Sequence, residues 1–232
     1  MALLLCLDSS TPCGSVAVCQ DGRVLAEMTL DVSGKTHSDY LLRYTDIILE
    51  EVGGQLDQIE GLGVVAGPGS FTGLRVGLAT VQGLALALKK PIYPVSSLEV
   101  VAFSNGPSTI PVMSVIDARK KEVYAACYRW LDGLPHLVGS ERVISPQSLI
   151  EELCEKTLFV GNGVVSYSHW FLECDHDNVQ ACPDVNLVPK AGAVGLLIHR
   201  KGGAAHSLDP FHLHPVYIRP SDAELQHATT AV

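Results

Sequence analysis

An aspartate followed by three hydroxyl side chains, Asp8-Ser9-Ser10-Thr11 in "LDSSTPCGS", is a residue set suited to a phosphate and its metal. The carboxylate would face the cation, while the hydroxyls and Gly14 would admit phosphoryl oxygens. A second set, "GPGSFTGLRVG" (Gly67–Gly77), reads as a glycine-rich turn between a strand and a helix. Free N–H groups at such a helix start can hold an anion. The turn nevertheless lacks the Gly-Lys-Ser/Thr ending of a P-loop and misses the spacing of a dinucleotide turn by one residue. Arg75 lies past it. Ser70 stands at a sharp turn after a strand, as a nucleophile could. The pattern is not Gly-x-Ser-x-Gly, however, and a helix N-cap accounts for Ser70 or Thr72.

Metal and thiol chemistry find less support. The nine histidines include no His-x-x-x-His pair; four residues after His37 stands Leu41. His206, His212 and His214 fall in "HSLDPFHLHP", which reads as solvated surface loop rather than as a zinc site. The seven cysteines form no Cys-x-x-Cys pair and several sit in apolar runs, so they read as buried cytosolic thiols. No metal site is expected in this chain.

The elements that must position these residues can be read from apolar patterning. With 47% apolar and 18% charged residues, the 232-residue chain can bury one large core or two small ones. A net charge of -9 disfavours extensive nucleic-acid binding by this chain alone. "MALLLCLD" lacks the basic start of a signal peptide, and no apolar run approaches membrane-spanning length. A cytoplasmic location without membrane contact is expected. Leu3 to Asp8 reads as a buried strand, and two strand-like runs flank Asp21-Gly22 as a hairpin. A helix fits Ser38 to Val52, a buried strand fits "GLGVVAG", and a second helix fits Phe71 to Leu88, stopped at Lys89-Lys90-Pro91.

"VMSVIDARKKEVYAACYRWLDGLPHLV" then repeats the opening: apolar run, aspartate, polar loop, strand, Asp-Gly turn, strand. Asp117 falls where Asp8 was. The inference is an α/β chain of two related halves, 1–105 and 106–232, with the C-terminal segment packing back on the first. A helix near Pro146 to Glu155, a strand "LFVGNG" and a helix from about Lys190 to Lys201 follow. This order suggests the ribonuclease-H-like halves of the actin-like ATPase architecture, in which two halves clamp a nucleotide. If so, Asp8, Ser10, Thr11 and Asp117 would be relics of a nucleotide site, with both aspartates reached by solvent in the cleft. The second loop, "DARKKEVY", has long side chains and no glycine where a phosphate wrap needs small ones, which argues against ATP hydrolysis.

The Phe71–Leu88 helix is apolar nearly all round. Leu74, Leu78, Val81, Ala85 and Leu88 form a core stripe, so the remaining side needs another cover. Gly73, Gly77, Thr80 and Gly83, beside Val76, form a small-residue side on which a partner helix could approach closely. Tyr40, Tyr44 and Ile47 on the preceding helix add a neighbouring apolar surface. The alternative is that Gly77 packs inside the chain itself.

"GPGSFTGLRVG" followed by "QGLALAL", with "LDSSTPCGSVAV" before, "IDARKKEVYAACY" after and "HPVYIRP" near the C-terminus, closely resembles the TsaB family. The resemblance spans nearly the whole chain, with little signature from about Glu155 to Pro189. It implies a non-catalytic relative of the actin-like-fold transferase TsaD, serving as dimerization subunit in tRNA threonylcarbamoyladenosine formation. It also implies pairing with TsaD, and with itself, through the two helices above. The ATPase TsaE joins them, tRNA is met only within the complex, and ATP and metal belong to the partner subunits. Two other readings are a glycoprotease-like peptidase, for which neither nucleophile nor metal can be placed, and an actin-like ATPase or kinase.

Overall fold

The computed structural model describes residues 3–31, 38–183, 187–203 and 207–219. Its first sheet is built from β1 (Leu3–Asp8), β2 (Cys13–Gln20), β3 (Arg23–Asp31), β4 (Gly61–Gly67) and β5 (Ile92–Ser96), in the order β3-β2-β1-β4-β5. The second uses β6 (Val112–Asp117), β7 (Val123–Leu131), β8 (Leu134–Ile144), β9 (Thr157–Val160) and β10 (Val179–Ala181), in the order β8-β7-β6-β9-β10. In both, the first three strands form an antiparallel meander and the last two run parallel to the first strand. The register repeats as well: Asp8 pairs with Ser15 and Asp117 with Val123, each aspartate ending a six-residue strand. Asp21-Gly22 and Asp132-Gly133 both turn with positive φ, as two-residue hairpin turns matching strand twist require. The sequence repeat is thus a structural repeat, and the fold is a pair of mixed sheets flanked by helices.

Parallel neighbours need crossovers, which the helices supply. In the first half α1 (Ser38–Glu51) joins β3 to β4, and α2 (Phe71–Leu88) joins β4 to β5. In the second, α4 (Pro146–Glu151) precedes β9, while α5 (Asn162–Ser166) and α6 (Ser168–Phe171) precede β10. Alternation along β1 decides which helix each face meets. Leu3, Leu5 and Leu7 pack with Leu41 and Ile48 of α1 and with Leu78, Val81 and Ala85 of α2. Leu4 and Cys6 point the other way and pack with Val194, Leu197 and Ile198 of α7 (Ala191–Arg200).

Two helices cross the line between the halves. α3 (Ser97–Ser104) lays Leu98, Val101 and Ala102 on Val112, Ile116 and Tyr128 of the second sheet, and α7 covers the first. Neither half therefore closes its own core. The C-terminal segment also returns to the first half: Leu208 bridges Ile92, the Val216 N–H donates to the Ala66 carbonyl at 2.8 Å, and Leu213 is buried among α1 and α2 residues.

One expectation needs correcting. By length and composition α2 is apolar enough to cross a membrane, although Arg75 and the scattered threonines hide this in the sequence. Its stripe of Leu74, Leu78, Val81 and Ala85 is instead buried against the first sheet.

Candidate functional site

The glycine-rich turn is built around the Asp8 loop. β4 ends at Gly67, and Ser70 caps α2 by accepting a hydrogen bond from the Gly73 N–H at 3.3 Å. The Ser70 N–H itself donates to the Ser10 carbonyl at 2.7 Å. Gly69 lies so close to that carbonyl that any Cβ would overlap it. The Ser9 hydroxyl donates to the Gly73 carbonyl at 2.8 Å and occupies the space a Gly77 side chain would need. The small residues of both motifs thus serve one contact, the seating of α2 on the loop after β1.

That contact corrects two assignments. Gly73 and Gly77 are buried within the chain and do not stand on the outer side of α2. Tyr40 also turns inward, its ring tilted against that of Tyr44 with centroids 5.5 Å apart in the core beneath α1. The remaining residues of the set lie at the surface: Tyr44, Ile47, Val76 and Thr80 are half-buried and Gly83 is exposed. Around Gly83 the outer face of α2 continues through exposed Ala79, Leu86 and Ala87. α1 packs alongside α2 on the same sheet face, with Leu42 of α1 also exposed.

A cleft of about 900 Å³ opens between the halves. Ser10, Thr11 and Asp117 line it, but Asp8 does not. Only 1% of Asp8 is exposed, contrary to the expected solvent access. Burial pushes its carboxyl up to about 7, against the pull of the Ser10 and Ser9 N–H groups and the Ser10 hydroxyl. Its Oδ1 accepts from the Ser10 N–H at 2.9 Å, while Oδ2 has no partner. The Ser10 hydroxyl, near enough to favour the carboxylate, makes no hydrogen bond in its present orientation. Asp117 is bound differently. It accepts from the Arg119 N–H at 2.8 Å and from the Tyr167 hydroxyl at 3.1 Å, and pairs with the Arg119 guanidinium at 3.5 Å.

The C-terminal segment crosses this cleft. Tyr217 stacks on Phe71 at 4.7 Å, and its hydroxyl accepts from Arg75 Nε at 3.0 Å. Arg219 donates to the Ala118 carbonyl at 2.8 Å and pairs with Glu122, so one strap joins both halves. Sequence reasoning assigned no role to Tyr217 or Arg219; the alternating aromatic and cation of "VYIRP" was the available signal. Asn162, from the "VGNG" turn, also lines the cleft and accepts from the Asp117 N–H at 3.0 Å.

Among the described residues no group of three or more His, Cys, Asp or Glu side chains is placed to hold a metal. His206 falls outside the described residues. Cys6 and Cys19 are buried, but Cys154 is exposed and the other four cysteines are half-buried, so the buried-thiol reading holds only in part.

Residues 29–174 match the family model described as TsaD, tRNA N6-adenosine threonylcarbamoyltransferase. The tRNA threonylcarbamoyladenosine biosynthesis protein TsaB of Haemophilus influenzae is 30% identical, the match covering 93% of each chain. TsaB of Escherichia coli is 36% identical over 69% of this chain and 71% of its own. The solved structure of YeaZ from Pseudomonas aeruginosa superposes with a TM-score of 0.79 at 30% identity, covering 94% of this chain and all of that one.

Proposed function

This chain belongs to the TsaB family of tRNA threonylcarbamoyladenosine biosynthesis proteins, and on that premise we propose that it is the non-catalytic pairing subunit of the machinery. It would grip a TsaD subunit, and a second copy of itself, through the outer face of α1 and α2. TsaE would join this pair, and tRNA would be met only in the assembled complex. ATP and metal chemistry would reside in those partners, in the cytoplasm.

The observation that carries the reading is the composition of α2. Gly83 and its exposed neighbours Ala79, Leu86 and Ala87 offer no charge, while the opposite stripe is buried. A helix apolar on two sides is stable in water when something covers the second side. Nothing lies within 4 Å of a Cβ built on Gly83, so close approach by another helix is unobstructed.

Placing a charge there tests the reading without disturbing the core. Ala79→Glu should leave the melting temperature of the isolated chain within a degree or two. It should weaken co-purification with the cognate TsaD at least about tenfold, equivalent to ~1.4 kcal/mol. A reconstituted transfer assay should lose product with it, and this chain without TsaD should yield none. Normal pairing by the variant, or product without TsaD, would sink the proposal.

A further inference from the structure

The face of the first sheet that α7 packs on is not wholly covered. β4 presents two glycines there, and each takes a different neighbour. A Cβ on Gly63 would meet Cys6, Ile198 and Val194 within 2.9 Å, so α7 sinks onto the strand at that point. Two residues earlier, on the same side of the strand, a Cβ on Gly61 would fall 2.5 Å from Tyr93 Cε2. The tyrosine ring therefore lies across β4, towards the Leu4 that pairs with Gly61. α7 ends at Arg200, and a pocket of about 410 Å³ opens beside its last turn. Buried Leu4, Cys19 and Ile198 give it an apolar floor, with Tyr93 and the Gln20–Gly22 turn at its sides. Leu4 stands near the start of β1, whereas the cleft between the halves is reached past its other end, at Ser10.

The charges around this pocket have one sign. Asp21 is a carboxylate in its lining, and the described lining residues include no lysine or arginine. Across from Asp21 stands the C-terminal end of α7, where backbone carbonyls carry partial negative charge. The two cations at that helix end are committed elsewhere. Arg200 donates to the Gly133 carbonyl at 3.2 Å, and Lys201 pairs with Glu99 at 2.5 Å. Gly202 and Gly203 follow with φ of 81 and 58°, and a Cβ on either would meet nothing within 4 Å, so the space past the helix stays open. His199 joins the helix to the turn, its ring lying where a Gly22 side chain would be.

We propose that this pocket binds a small organic cation, an amine carried on a flat apolar ring. The floor and the Tyr93 ring take the apolar part, while Asp21 and the end of α7 take the ammonium. A tyrosine ring also attracts a cation over its face. An anion would meet the Asp21 carboxylate and the helix end with no cationic side chain of the lining to offset them. The chain's net charge of -9 adds attraction of the same sign. A volume of about 410 Å³ suits a ligand of this size. The pairing helices α1 and α2 pack on the other face of the sheet, so the inference does not rest on that reading.

Titrating the full chain with tryptamine at low ionic strength, followed by amide NMR, tests the proposal. Saturable binding is expected, shifting the amide signals of Gly22, Gly195 and Gly202 and leaving those of Ser10 and Arg119 in place. Indole-3-propionate, with the same ring and a carboxylate, should bind far more weakly. Asp21 has a φ of 48°, a left-handed conformation that asparagine tolerates, so Asp21→Asn should fold as the parent does. It should bind tryptamine at least about threefold more weakly, as loss of an exposed charge partner implies. Asp132→Asn, at the matching turn of the second half with a φ of 51°, should bind as the parent does. Absence of saturable shifts at millimolar tryptamine would overturn the proposal. So would parental affinity in Asp21→Asn, equal binding of indole-3-propionate, or shifts centred on the cleft between the halves.

Discussion

The loops after β1 and β6 occupy equivalent places in two copies of one topology and do opposite things. The first, Ser9 to Thr11, is small and buried; its Ser9 hydroxyl and Ser10 carbonyl seat α2. The second, Ala118 to Lys121, carries three long side chains on left-handed backbone, and two of them, Arg119 and Lys120, line the cleft. The aspartates that open the two loops follow suit. Both cap the N–H two residues on, at 2.9 and 2.8 Å, yet of the two only Asp117 is paired with a cation. Duplication preserved the hydrogen bond that shapes the loop and released everything beyond it. The first copy became part of the seat beneath α2, and the second part of a basic wall.

If the first loop is a seat for α2, filling the seat should be the most damaging change. Gly77→Leu would drive a side chain into Ser9, breaking its hydrogen bond to Gly73 and lifting α2. Overpacking and the lost buried hydrogen bond together should cost about 3 kcal/mol or more. Urea unfolding of the isolated chain measures it. Parental stability with impaired pairing would instead restore Gly77 to the partner surface.

The buried aspartate gives an effect of similar size and opposite sign. Asp8 has its carboxyl raised to about 7 in the folded chain, against an ordinary value near 3.8. The folded state therefore holds this proton where the unfolded state has released it. Stability from this group is complete below about pH 4, falls as pH rises, and is lost above about pH 7. Asp8→Asn imitates the protonated acid and keeps an oxygen for the Ser10 N–H. It should be more stable than the parent by about 4 kcal/mol at pH 8, with little difference at pH 4. Unfolding curves across that range check the crossover; an equal gain at both ends would refute its origin in ionisation.

Much of this comparison was legible before any coordinates. The two aspartates, the two Asp-Gly turns and the apolar runs before them declare the repeat, because hairpins and buried strands carry local signals. The core stripe of α2 was legible for the same reason. The inward position of Gly73 and Gly77 was not, because periodicity identifies sides of a helix but not how wide an arc its own chain covers. α2 sits in a trough between the sheet and the Asp8 loop, so two adjacent stripes are buried where one was expected. β5 and α3 left no readable pattern either: both are short, and α3 is apolar on more than one side because it meets both halves. The cleft escaped for a further reason. Arg75, Arg119 and Arg219 come together only once the topology folds distant segments onto one another.

The smallest expected effect is the control that gives the comparison its edge. Asp117 occupies the same strand position as Asp8, but it lies at the cleft wall, its side chain 14% exposed and paired with a cation. Its ion pair is with Arg119, whose side chain is 77% exposed, and such pairs contribute about 0–1 kcal/mol. Asp117→Asn keeps the oxygen that accepts from the Arg119 N–H and the Tyr167 hydroxyl, and loses only the charge. Its stability at pH 8 should stay within about 1 kcal/mol of the parent. Urea unfolding beside Asp8→Asn under identical conditions decides the matter. A gain as large as that of Asp8→Asn would mean that both aspartates are buried liabilities of one ancestral loop, and that the two copies have not diverged in the way their surroundings indicate.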